Sequence, residues 1–166
     1  MIYNVIGNGT SRKHINLTQL EGRTFGCNAI YRDFTPSDLV FIDPKMSDEI
    51  FQAKLTCNVW TKGNLVREGW RSLRTILLSS GTTALHLASL FEPDQIHIYG
   101  MDMTLTNIYA GTSNYRPEAL INHNTDPWIN EMHQIIQNNP WIKYIRFKTQ
   151  DCPEFNFGAN YEERIL

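Results

Sequence analysis

Ile2-Tyr3-Asn4-Val5-Ile6-Gly7-Asn8-Gly9-Thr10-Ser11 opens the chain with a short β-branched strand that runs straight into a glycine turn. In open α/β sheets, ligands sit beyond the carboxyl ends of the strands, and the first glycine-rich βα turn is the usual place for a nucleotide. A Cβ in such a turn would block φ > 0 and hold a phosphate or ribose away from the backbone. Gly-x-Gly-x-x-Gly is not completed, because Arg12 stands where the third glycine would be. A second turn of related design, Ser79-Ser80-Gly81-Thr82-Thr83, lies later in the chain.

Outward from the first strand, short β-branched runs alternate with helical patterns to the end of the chain, as in an α/β fold. Strands are predicted at 3–6, 24–27, 39–42, 57–60, 75–78, 96–99 and 144–147. The run Ile96-His97-Ile98-Tyr99 is short and apolar, as a buried parallel strand should be. One helix is predicted from about Ser80-Gly81-Thr82 through Leu90, with Pro93 beyond its end. Another begins at Thr125 or Asp126 as N-cap with Pro127 at its first position, and buries Trp128, Met132, Ile135 and Ile136 on one face. Shorter helices are expected around 15–20 and 48–53. The fold expected is a single Rossmann-like, three-layer α/β domain over 1–166, with a mostly parallel sheet. A lid-like loop falls at about 103–124, since roughly twenty residues without periodicity inside a compact domain mark a functional loop. The end of the chain, 156–166, is polar and is expected to wrap the surface.

Composition narrows the class of function. The 166 residues are 42% hydrophobic and 19% charged, with a net charge of −2. That balance provides no electrostatic case for nucleic acid as the main partner. Arg12-Lys13 and Arg67, Arg71 and Arg74 are expected on solvated faces. The three cysteines, Cys27, Cys57 and Cys152, have neither disulfide nor zinc spacing, which suits a reducing cytoplasm. No signal-peptide pattern is seen at the N-terminus, and no apolar run approaches the ~20 residues that span a bilayer. A homo-oligomer is compatible with all of this.

Polar residues follow several predicted strands and would converge on one sheet edge: Asn8, Asn28, Asp43, Ser79-Ser80-Gly81 and Gly100-Met101-Asp102. A side-chain amide can donate to a phosphate or ribose oxygen and accept from a base amine. Asn and Asp after strands are also common turn formers, but so many together favour a ligand site. The Ser79-Ser80-Gly81 turn opens a helix, whose free N–H groups and dipole favour an anion. Its bland reading is that Ser80 is an N-cap. His123 ends the irregular loop and is a candidate general acid or base. In the same loop, Tyr109 and Tyr115 could donate to a leaving phosphate or anchor the loop by packing. His86 and His97 are read as scaffold, and His133 is placed on the polar side of the last helix.

At these residues the chain resembles two related families, the bacterial sialyltransferases of glycosyltransferase family 42 and the 6-hydroxymethylpterin diphosphokinase-like proteins. The matching pieces are Gly7-Asn8-Gly9-Thr10-Ser11, Cys27-Asn28, Leu78-Ser79-Ser80-Gly81, Ile98-Tyr99-Gly100-Met101-Asp102 and His123-Asn124-Thr125-Asp126. The resemblance implies that Asn8 and Asn28 contact a cytidine nucleotide, and that Ser79 and Ser80 hold the phosphate or the sugar carboxylate. It implies His123 as the base that deprotonates an acceptor hydroxyl, and Tyr109 or Tyr115 as the group that stabilises the departing phosphate. The chain departs from the family at Thr10, where a proline is usual, and at Asp43, where an asparagine is expected. It is also much shorter, with an abbreviated lid. The expected function is a compact, metal-independent glycosyltransferase that takes a CMP-sugar donor and a glycan or small-molecule acceptor. Gly7, Asn8, Gly9, Ser11, Asn28, Asp43, Ser79, Ser80, Gly81 and Asp102 would form the donor site. The alternatives are a pterin diphosphokinase-like phosphotransferase with magnesium at Asp43 and Asp102, and a nucleotide-binding module without catalysis. Methyl transfer from S-adenosylmethionine ranks last, because Asn28 replaces the acidic residue expected at the end of the second strand.

Overall fold

The computed structural model describes residues 1–118 and 124–166. Its centre is an eight-stranded sheet in the order β5-β4-β3-β2-β1-β6-β7-β8. The strands are β1 (Ile2–Ile6), β2 (Arg23–Cys27), β3 (Asp38–Val40), β4 (Asn58–Thr61), β5 (Arg71–Ser72), β6 (Gln95–Tyr99), β7 (Lys143–Lys148) and β8 (Tyr161–Ile165). Every neighbouring pair is parallel, so the sheet is parallel throughout rather than mostly so. The chain builds outward from β1 to β5, then crosses back to place β6 on the other side of β1. That reversal creates a crevice at the carboxyl ends of the central strands, where α/β proteins bind ligands.

Strand side chains divide the core in two. Tyr3, Val5, Phe25, Ile96 and Ile98 face α2 (Ser80–Leu90) and α3 (Asp126–Asn138), with Ala84, Leu85, Met132 and Ile136 opposite them. Ile6, Leu39, Phe41 and Val59 face the other way, onto α1 (Ser47–Gln52), the 3-10 turn Asn28–Arg32 and Tyr109. The period-2 alternation of a strand is what supplies both faces from one run. The predicted helix at 48–53 is α1, and only a 3-10 turn, Leu17–Gln19, forms within 15–20. Among the described residues no helix is long and apolar enough to cross a membrane.

Three expectations are corrected. No strand forms at 75–78; the fifth strand is Arg71–Ser72. The Leu77 N–H is donated to Thr83 Oγ1 at 3.1 Å and that of Leu78 to Glu131 Oε2 at 2.9 Å, so side chains of α2 and α3 replace a ladder. The polar end of the chain does not merely wrap the surface, because Tyr161–Ile165 pairs in parallel with β7. Its inward-facing Glu163 takes a hydrogen bond from the buried Arg146 at 2.8 Å, which compensates a charge inside the fold. Arg12, finally, is buried beneath the glycine turn rather than solvated. Arg71 and Arg74 are exposed as expected, while Arg67 is half-buried over Phe51 and Trp70.

Candidate functional site

The ends of β1, β2 and β6, the loop after β3 and the start of α2 open on one cleft of about 500 Å³, a size suited to a small molecule. Gly7, Asn8, Gly9, Asn28, Asp43, Ser79, Ser80, Gly81 and Asp102 all line it, and so does Tyr115. The convergence expected at the sheet edge is therefore present. Ser11 and Tyr109 are not among the lining residues, and His123 lies outside the described residues.

The glycine turn owes its composition to the fold. Gly7 N–H donates to the Tyr99 carbonyl at 2.7 Å, and Gly9 N–H to the Gly100 carbonyl at 2.8 Å. A Cβ on Gly9 would collide with the Asp102 carboxylate. Arg12 fills the space below, donating to Asn8 Oδ1 at 2.7 Å and to the Tyr109 hydroxyl at 2.8 Å. Asn8 in turn donates through Nδ2 to the Cys27 carbonyl at 3.0 Å. Its amide is thus engaged at both ends by the scaffold, and Asn8 meets the cleft without a free side-chain acceptor. Cys27, buried beside it, has its thiol pushed up to about 12 by burial, which disfavours the thiolate.

Asn28 is different. It sits at φ 52, in the left-handed region that Asn tolerates better than most residues. Its Oδ1 is buried and accepts no hydrogen bond from the described residues. An unsatisfied buried acceptor costs about 1–3 kcal/mol, so one kept at the wall of a cleft points to a ligand donor.

The start of α2 supplies the complementary groups. Ser79, not Ser80, is the N-cap: its Oγ accepts from Thr82 N–H at 3.1 Å. Ser80 Oγ accepts instead from Ile42 N–H at 3.2 Å, which ties the helix to the end of β3. The Ser80 and Gly81 N–H groups have no protein acceptor among the described residues, and both residues line the cleft. They are the free donors that suit an anion.

Both acidic residues of the cleft are already engaged. The Asp102 carboxylate accepts from the N–H of Ser11 at 2.9 Å and from its hydroxyl, which is the role the structure shows for Ser11. Asp43 accepts from Lys45 N–H at 3.1 Å and pairs with Lys45 Nζ at 3.4 Å. No cluster of three or more His, Cys, Asp or Glu side chains able to hold a metal ion is found among the described residues. Arg116 also lines the cleft, exposed and without a carboxylate partner among the described residues. The sequence reading missed both Lys45 and Arg116. Their only signal was a basic residue beside a proline in a loop that follows a strand.

The two tyrosines separate. Tyr109 is buried, donates to Asp33 Oδ2 at 2.6 Å, and has its phenol pushed up to about 12 by burial and by that bond. It anchors the segment after β6. Tyr115 reaches the cleft and accepts from Ala29 N–H at 3.4 Å, with no acceptor for its own proton among the described residues. Burial raises its pKa as well, so it remains a neutral donor near pH 7.

Fold and cleft together define a parallel α/β protein with a cleft at its topological switch point. No protein-family model matches the chain, and no curated protein matches it. A protein from Lactobacillus plantarum with a solved crystal structure is similar over 86% of this chain, at 16% identity and a TM-score of 0.45. The chain covers 60% of that protein's length.

Proposed function

We propose that the protein is a glycosyltransferase that binds a CMP-activated sugar in the switch-point cleft and transfers the sugar to a hydroxyl acceptor. The observation that carries this reading is the buried Asn28 Oδ1, without a partner among the described residues, in the same cleft as the Ser80 and Gly81 N–H groups at the start of α2. An acceptor matches the exocyclic amine of cytosine or a ribose hydroxyl, and the N–H pair with Arg116 matches a phosphate. In the transfer, the acceptor oxygen bonds to the anomeric carbon while the bond from that carbon to the phosphate oxygen breaks. CMP leaves with the electron pair, and the acceptor proton passes to His123. Tyr115 is the better candidate to donate to the departing phosphate, because Tyr109 is already committed to Asp33 and Arg12.

A magnesium-dependent phosphotransferase would draw on Asp43 and Asp102, which share the cleft. Their engagement by Lys45 and Ser11 makes this the weaker reading. Thermal stabilisation by CMP, UMP, AMP and ATP, each with and without magnesium, separates the two. A ligand at 100 times its Kd adds about 2.7 kcal/mol to the native state. Stabilisation by CMP above UMP and independent of magnesium is expected. Stabilisation only by AMP or ATP with magnesium would transfer the assignment to the phosphotransferase. CMP binding without CMP release from any CMP-sugar would leave a binding module. Loss of CMP release in His123→Ala, with CMP binding retained, tests the base.

A further inference from the structure

Besides Asn28 and the start of α2, described above, the cleft lining carries a set of apolar side chains. Leu78 and Leu105 belong to it at 69% and 42% exposure, large values for leucines beside a cleft. Met103 and Trp128 complete the set, so three separate segments contribute: the residue before the α2 cap, the stretch after β6, and the first turn of α3. Glu131 of α3 holds the Leu78 N–H at 2.9 Å. Trp128 lies three residues earlier on the same helix face and lines the same cleft as Leu78.

Polar side chains on the wall after β6 are turned toward one another. Thr104 and Thr106 share a hydrogen bond of 2.9 Å, Thr106 reaches Thr10 at 3.3 Å, and Asn107 Oδ1 takes the Tyr109 N–H at 2.8 Å. Met103 and Leu105 are the apolar groups that this stretch offers a ligand. The backbone here is also held away from its preferred conformations. Among the described residues, three of the five non-glycine residues with positive φ, Asn28 (52), Met103 (56) and Asn114 (66), line the cleft. Strain of this kind collects at ligand sites, where the surrounding structure enforces it.

We infer that the acceptor is a hydroxyl-bearing molecule with an apolar group, the apolar group seated against Leu78, Met103, Leu105 and Trp128. The inference rests on the nucleotide-sugar reading, which seats the donor on Asn28 and the start of α2 and leaves the apolar residues for the second substrate. A free sugar would find few unengaged polar partners on this wall. An alkyl or aryl aglycone would bury leucine surface that is otherwise left in water.

The test measures binding of methyl, hexyl and phenyl β-D-glucosides to the full chain, below micellar concentration and in saturating CMP. Holding the sugar constant makes the aglycone the variable. The hexyl and phenyl compounds are expected to bind about tenfold more tightly than the methyl compound, as partial burial of a short alkyl chain implies. Leu78→Ser and Leu105→Ser should each narrow that ratio by about threefold. Equal affinity for all three glucosides overturns the inference while leaving CMP binding, and the function proposed above, intact. A hexyl preference that both variants retain also overturns it, because the apolar group then sits elsewhere. Failure of CMP itself to bind, measured first and alone, removes the donor reading and this inference with it.

Discussion

Gly7 and Gly100, at the ends of the adjacent strands β1 and β6, exclude each other's side chains. A Cβ on Gly7 would stand 2.6 Å from the Gly100 carbonyl oxygen, and a Cβ on Gly100 would stand 2.5 Å from that of Gly7. The two strand ends therefore approach backbone to backbone, directly beneath the cleft, and neither neighbour can give because both are main chain.

Gly7→Ala and Gly100→Ala should each destabilise the fold by about 2–4 kcal/mol, from overpacking and, at Gly100, from its φ of +64 as well. Urea denaturation measures both. Gly100→Ala is expected to be the more damaging, and the double variant to cost less than the sum, since one shift of the strand ends relieves both clashes. Additive costs would mean that the two glycines serve separate constraints.

Asn28 offers a cleaner separation of backbone from side chain. Asn28→Gly keeps the left-handed backbone and removes the orphaned amide oxygen. Its melting temperature should equal or exceed that of the parent protein, while affinity for CMP falls about tenfold, the value of one hydrogen bond. Calorimetric titration reads the affinity. Unchanged affinity would mean that the oxygen meets no ligand.

The two loop tyrosines should respond oppositely to loss of the hydroxyl. Tyr109→Phe leaves Arg12 and Asp33 without a shared partner and should lower stability by about 1–3 kcal/mol. Tyr115→Phe should leave stability nearly unchanged and reduce turnover of a CMP-sugar. Paired melting curves and CMP-release rates test this, and a reversed pattern would exchange their roles.

Glu49 joins α1 to the segment after β6. It accepts from Arg32 Nε at 3.0 Å, from Asn114 Nδ2 at 3.1 Å and from the Tyr31 hydroxyl, while Arg32 donates to Thr112 Oγ1 at 2.7 Å and the Ser113 carbonyl at 2.8 Å. Burial alone would raise the Glu49 pKa, but the bonds from Arg32 and Tyr31 outweigh it, and the net direction is down. A folded pKa below the unfolded one stabilises the protein above the ordinary glutamate range. That contribution is lost as pH falls through the depressed folded value. Melting temperature between pH 3 and 7 should accordingly drop toward acid in the parent protein. Glu49→Gln should start lower at pH 7 and show a smaller drop. Parallel curves would show that the clasp carries no such linkage.

Much of the fold is legible in the chain because local pattern and tertiary outcome agree. The runs at 3–6, 24–27 and 96–99 are apolar and β-branched, and they became β1, β2 and β6 within a residue. Ser79 through Leu90 and Thr125-Asp126-Pro127 carry their own helix start signals. The run at 75–78 has equal strand character but no strand, because its amide donors found Thr83 and Glu131 first. Tyr161-Glu162-Glu163-Arg164-Ile165 reads as surface, since nothing local reveals that Arg146 waits inside for Glu163.

The sequence by itself determined the parallel α/β plan, the two turns at the strand ends and the set of polar residues that meet there, all of which depend on periodicity and on residue types with local preferences. Only the tertiary structure decided how each of those residues is used. Asn8 and Asn28 occupy equivalent places after successive strands, yet Arg12 and the Cys27 carbonyl engage the amide of Asn8, and no described residue engages Oδ1 of Asn28. Tyr109 and Tyr115 share a loop, yet Asp33 accepts a hydrogen bond from the hydroxyl of Tyr109 and not from that of Tyr115. The physical reason is that a hydrogen bond belongs to a pair. Whether a polar group is free for a ligand depends on partners far away in sequence, which only the folded chain brings within reach.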